Sequence, residues 1–287
     1  MTGNAVIEGR AAGAPSRPWP VVLVHGTRTS HSQWDPQVPS LRAAGHLVVT
    51  PDLPGHGSRR EEPFTLEAAV AAIEDAVREA SERAGYPAHL VGSSLGGMLA
   101  IHAAARLSSD AHHLGVPSPL GSLVACGAAV QPTPLTARLY AALIGATDLL
   151  PSMRTGQGSF PFTWLLGEDG ARAYLRGGRA DISVVAPAFA DVAFLDLRAD
   201  LARIGEPVTF LHGRAEQLRL HERSFVAAAP RGRLELLPYG NHMVNLAQAH
   251  RFTADLLRVL ARAQRESAAA SAQRESAAPS AEAPAGL

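Results

Sequence analysis

Short, continuous apolar runs alternate along this chain with longer stretches whose apolar positions recur at helical spacing. Pro20 to Val24, His46 to Pro51, Leu90 to Gly92, Gly121 to Cys126, Pro207 to His212 and Arg233 to Leu237 read as buried strands. Helical periodicity fits Thr65 to Ala84, Leu95 to Leu107, Arg219 to Ala229 and Val244 to Ala263. Strands that are apolar on both faces and separated by helices predict an α/β fold, a mostly parallel sheet with helices on both faces.

Two segments break the rhythm. Gln131 to Gly205 is too long for one crossover and carries Pro, Trp and Phe, with an apolar helix candidate at Leu139 to Leu150. It reads as an inserted helical cap (131–205) over the C-terminal ends of the strands. The core is then 1–130 and 206–263. From Ala263 onward the chain is mostly Ala, Ser, Glu, Gln and Pro, with Gln-Arg-Glu-Ser-Ala-Ala at 264–269 and again at 273–278. Such a segment buries too little apolar surface to offset its ordering entropy, so 264–287 is expected to be a disordered tail, the first copy extending the preceding helix at most.

Composition narrows the function classes. The 287 residues carry 26 basic and 26 acidic side chains, and a balanced charge gives no electrostatic basis for a nucleic-acid or membrane-surface partner. No basic segment followed by an apolar one opens the chain, and no run approaches a membrane span. The single cysteine, Cys126, rules out an intramolecular disulfide and reads as a small buried hydrophobe. A cytoplasmic protein is expected. Its oligomeric state is not encoded in these patterns.

Gly92-Ser93-Ser94-Leu95-Gly96-Gly97 carries the chemistry. A glycine-flanked serine between a buried strand and an Ala-rich helix is the pattern of a nucleophile elbow, G-x-S-x-G. Small neighbours let the chain approach a strained turn that lifts Ser94 above the sheet. The turn turns the Leu95 amide, at the positive end of the helix, toward a developing oxyanion. Val24-His25-Gly26-Thr27-Arg28 follows the first strong strand and offers the Thr27 amide as a second donor, with His25 fixing the loop and Arg28 lining the pocket.

The base is assigned to His242, in the loop Gly240-Asn241-His242 after the last strand, with His212 as runner-up. Glu216, just beyond the Val208 to His212 strand, is the orienting acid; Asp148, Asp196 and Asp200 are the alternatives. Asp52, in Asp52-Leu53-Pro54-Gly55-His56-Gly57, is read as a structural cap on the amides of its own loop. Trp164 and Phe162, with Phe160, are expected to form an apolar substrate wall or the cap's own core.

From Pro20 to Ala263 the chain resembles α/β-hydrolase-fold serine hydrolases, through the motifs quoted above and the order serine, acid, histidine. The resemblance implies Ser94 as nucleophile, His242 as base, the Thr27 and Leu95 amides as oxyanion hole and a mobile cap over the site. Two departures stand out. The acid position holds Glu where the family usually has Asp, and the region before Pro20 is short enough that a leading strand or two is expected to be missing. The reaction expected is hydrolysis of a small ester, lactone or thioester through an acyl-enzyme on Ser94. No cofactor or metal is expected, for want of a P-loop, a G-x-G-x-x-G turn or a ligand cluster. A tailoring reaction of a natural-product pathway (cyclase, C–C hydrolase or perhydrolase) and a non-catalytic ligand receptor are the other readings of this scaffold.

Overall fold

The computed structural model describes residues 17–147 and 160–277. Its strands are β1 (Val21–Val24), β2 (Val48–Val49), β3 (Ala88–Ser93), β4 (Leu120–Cys126), β5 (Val208–Ala215) and β6 (Gly232–Asn241). They form one sheet in the order β2-β1-β3-β4-β5-β6, and every pairing is parallel. The order reverses direction at β1 and β3, where doubly wound sheets place their sites.

The two faces of the sheet are separate cores. In β1, Val22 and Val24 pack on one side with Ile73, Leu99, Leu201 and Phe225; Val21 and Leu23 pack on the other with Trp34, Phe252 and Leu256. This is the two-residue period of a strand buried on both faces. Each fully buried side chain of this size contributes about 1.5–3 kcal/mol. Helices supply the outer layers: α1 (Val38–Ala43), α2 (Leu66–Ala84) and α3 (Leu95–Leu114) in the first half of the chain. Thr65 caps α2 by accepting from the Ala68 amide, and Gly85, at φ 71°, ends it in the left-handed conformation.

Between β4 and β5 lie α4 (Pro134–Thr147), α5 (Phe160–Arg176), α6 (Ile182–Val192) and α7 (Leu197–Ala202). The first three build small cores of their own: Ala137 with Val185 and Phe189, and Phe162 with Leu166, Tyr174 and Leu246 of the main domain. Ala188 and Val192 on another face of α6, with Leu197 and Leu201 of α7, join the main core. Hydroxyls of the loop after β1 fasten α5 down: Ser32 Oγ donates to Ala173 O at 2.6 Å and Thr29 Oγ1 to Tyr174 O at 3.2 Å.

After β5 come α8 (Glu222–Ala228), α9 (Val244–Ala247) and α10 (Ala249–Ala277). The last helix continues past Ala263, through the first repeat and into the second, as far as Ala277. Gln264 is buried, accepting from Trp19 N at 3.2 Å and donating to Arg17 O at 3.0 Å, and Ser267 Oγ donates to Gly121 O. Ala, Gln, Arg and Glu are strong helix formers, so the helix propagates without apolar residues while polar anchors tie it to the core. Residues 278–287 of the expected tail lie outside the described residues. Among those described, no helix is long and apolar enough to cross a membrane.

Candidate active site

β3 delivers Ser94 to a turn that only small neighbours permit. Ser94 has φ 56° and ψ −122°, and it shares positive φ with a single other non-glycine among the described residues, Arg28. Such a conformation costs about 1–3 kcal/mol and persists where its surroundings impose it. Here the surroundings are close. A Cβ on Gly92 would lie 2.7 Å from Gly97 Cα, and one on Gly97 would lie 2.6 Å from Ala128 Cβ. The Ser94 amide donates to Cys126 O at 2.8 Å, and its carbonyl accepts from Gly97 N at 2.9 Å to start α3.

The loop after β1 is held from three directions. His25 Nε2 accepts from Leu53 N at 3.1 Å, which makes Nδ1 the protonated nitrogen, and Nδ1 donates to Gly26 O at 2.8 Å. Burial, reinforced by neighbouring His56, pushes the His25 pKa down to about 3, so the ring stays neutral. Gly26 O and Thr27 N–H belong to one trans peptide and point in opposite directions, so fixing the carbonyl on His25 turns the Thr27 amide away from it. Gln33 completes the brace: its Oε1 accepts from Gly26 N at 2.7 Å and its Nε2 donates to Ser93 Oγ at 3.0 Å. One buried side chain thus joins the loop to the elbow.

His242 follows β6 on a turn opened by Gly240 at φ 77° and closed by Asn241 Oδ1, which accepts from Met243 N. Its Nδ1 lies 2.8 Å from Glu216 Oε1, just past the end of β5. Glu216 also accepts from Leu218 N at 2.7 Å. Burial raises the Glu216 pKa, but the hydrogen bond and charge of His242 and the Leu218 amide outweigh it, leaving the carboxyl below its ordinary range. An ionised Glu216 selects the tautomer with Nδ1–H, which leaves Nε2 as the basic nitrogen.

The alternatives have other work. Asp196 caps α7, accepting from Arg198 N and Ala199 N, and Asp200 pairs with His102 and Arg203. Asp148 lies outside the described residues. His212 is buried; its Nδ1 accepts from Gly127 N, and burial pushes its pKa down to about 4. Asp52 accepts from His31 N and Ser58 N, the capping role read from its loop.

Ser94, His242, Thr27 and Gln33 line one cavity of about 170 Å³. A family profile, that of the alpha/beta hydrolases, matches residues 21–256. The chain belongs to the alpha/beta hydrolase family. Over 257 residues the chain is 27% identical to the pimeloyl-[acyl-carrier protein] methyl ester esterase of Xylella fastidiosa, covering 84% of this chain and 94% of that one. The esterase of the same name from Neisseria meningitidis is 32% identical over 127 residues, 44% of this chain and 46% of that one. The chain spans less than half the length of the first curated relatives it matches. The crystal structure of the enol-lactonase from Burkholderia xenovorans LB400 aligns with a TM-score of 0.64 at 20% identity, covering 86% of this chain and 92% of that one. That likeness is one of fold.

The cavity wall differs from the expected one. Trp164 is 80% exposed and does not line the cavity, nor does Phe162. On α5, Phe160 and Trp164 are four residues apart and share the outer face, while Phe162 and Leu166 share the inner one. Phe162 stacks behind Tyr174, ring centroids 5.3 Å apart. Tyr174, Tyr140, Ile144 and Met243 form the apolar wall instead, and Arg179 joins Arg28 at the rim of polar groups. Gln33 and these tyrosines were invisible in the motifs, because their partners are remote in sequence. Gly127 was equally hidden: at φ 56° it passes so close to the Glu216–His242 pair that no side chain fits.

Proposed function

We propose that this hydrolase cleaves a carboxylic ester, lactone or thioester through an acyl-enzyme on Ser94. The observation that carries the reading is the 2.8 Å Glu216–His242 contact at the cavity that also holds Ser94 on its strained elbow. His242 Nε2 takes the Ser94 Oγ proton as Oγ attacks the carbonyl carbon. The resulting oxyanion is held by the Thr27 and Leu95 amides, and losing one such donor costs about 3–4 kcal/mol of transition-state stabilisation. His242 passes the proton to the leaving alkoxide or thiolate. Water, activated by the same nitrogen, then attacks the acyl-enzyme and releases the acid. Glu216 stays ionised throughout and favours the imidazolium.

A cavity of about 170 Å³ walled by Tyr140, Ile144, Tyr174 and Met243 suits a short acyl chain or a compact lactone. The relatives whose names record ester cleavage support the same bond class. Intact-mass analysis after treatment with a small fluorophosphonate tests the proposal, with Ser94→Ala in parallel. One adduct, mapped to Ser94 and absent from the variant, is expected, together with turnover in a panel of ester, lactone and thioester substrates. A folded protein that forms no adduct and turns over none of them would overturn it in favour of the non-hydrolytic readings.

A further inference from the structure

The Thr27 hydroxyl is buried, and among the described residues its Oγ1 has no hydrogen-bond partner. Thr27 lines the same cavity as Ser94, and its chain neighbour Gly26 is packed against the nucleophile: a Cβ on Gly26 would lie 3.3 Å from Ser94 Cβ. A buried hydroxyl without a partner is destabilising in the resting protein, and valine would fill the same volume without that cost. The surrounding brace removes looseness as its explanation. His25 holds Gly26 O, Gln33 holds Gly26 N, and Thr29 Oγ1 is tied to Tyr174 O. The backbone on both sides of Thr27 is therefore fixed, and the orphaned donor belongs to a residue of the cavity wall.

A donor that lacks a partner in the ground state and gains one as negative charge develops stabilises the transition state selectively. Resting on the acyl-enzyme reading above, we infer that the Thr27 side-chain O–H is a third oxyanion donor, acting beside the amide of its own residue. It donates a hydrogen bond to the tetrahedral oxygen and transfers no proton. The sequence carries the signal in residue type alone: a hydroxyl amino acid where only a backbone amide is needed.

The test compares Thr27→Val and Thr27→Ala, which delete the hydroxyl, with Thr27→Ser, which keeps it. Steady-state kinetics on p-nitrophenyl acetate and the rate of fluorophosphonate inactivation are measured for each, with thermal unfolding alongside. Removing the hydroxyl is expected to lower kcat by about ten- to a hundredfold with KM nearly unmoved, and to slow inactivation in parallel. Thr27→Ser is expected to stay within about threefold of the wild type, and Thr27→Val to unfold no earlier than it. The assignment is overturned by an unchanged kcat in Thr27→Val and Thr27→Ala, by a rise in KM alone, or by an equal loss in Thr27→Ser. These results leave the Ser94 adduct of the wild type intact. Absence of that adduct would instead overturn the acyl-enzyme reading, and this assignment with it.

Discussion

Gly127 is packed so tightly on His242 that a Cβ at position 127 would lie 2.8 Å from the imidazole Nδ1, the atom that meets Glu216. It would also stand 2.7 Å from Glu216 Oε2. Glu216 has little room to yield, because it is buried and also anchored by the Leu218 amide. Gly127→Ala is therefore expected to separate acid from base and to lower kcat by about a hundredfold or more. The positive φ adds a stability loss of at least about 1 kcal/mol. Kinetics on a simple ester and urea unfolding measure the two effects; an alanine variant with wild-type kcat would show that the spacing is not needed.

Gln33 offers a second handle on the same site. Gln33→Leu leaves the Gly26 amide without its acceptor and the Ser93 hydroxyl without its donor. A buried donor left unsatisfied costs about 1–3 kcal/mol, so unfolding is expected at correspondingly lower denaturant. Because the loop that presents the Thr27 amide loses its tie to the elbow, kcat is expected to fall about tenfold with a smaller change in KM. A variant that loses stability but keeps kcat would make Gln33 a purely structural brace.

The extent to which this arrangement was legible follows from the range of each interaction. β1, β3 and β4 announce themselves because both faces are buried and the runs are mostly apolar, with only His89, Ser93 and Ser122 as polar members. β6 runs on to Asn241, past the apolar stretch read from sequence, because its outer residues are only partly buried and break the pattern. Ser94, Glu216 and His242 each stand beside a strand end with glycine close by, a local signal. The Gln33–Ser93 contact spans 60 residues and leaves none. Trp164 was misplaced for a different reason: amphipathicity tells that a helix has two faces, and an aromatic-rich outer face makes the choice between them unreadable without the partner surface.

Trp164 can be used to check the corrected wall. At 80% exposure, on the face of α5 opposite Phe162, its removal in Trp164→Ala is expected to leave kcat/KM within about twofold of the wild type. Tyr174→Ala, which deletes a ring that lines the cavity and the stack on Phe162, is expected to raise KM about tenfold. Equal effects in the two variants, measured on a short-chain p-nitrophenyl ester, would put Trp164 back at the substrate.

Asp52 sets a pH dependence of stability whose sign is fixed by its surroundings. Burial raises its pKa, but hydrogen bonds from the amides and side chains of His31 and Ser58 outweigh this and bring it down from 3.8 to about 2. The folded value is thus depressed below the unfolded one, so the contribution is fully present above the unfolded pKa and is lost as pH falls through the folded one. Allowing for solvent screening, about 1–2 kcal/mol should disappear between about pH 4 and about pH 2. Urea midpoints across that window are expected to fall more steeply in the wild type than in Asp52→Asn, which cannot ionise at that position. The difference between the two slopes isolates Asp52 from Glu216 and the other carboxylates, which titrate in both proteins. Parallel slopes would mean that the loop around His31 and Ser58 holds together without the charge, and that its four hydrogen bonds to Asp52 are dispensable in the folded state.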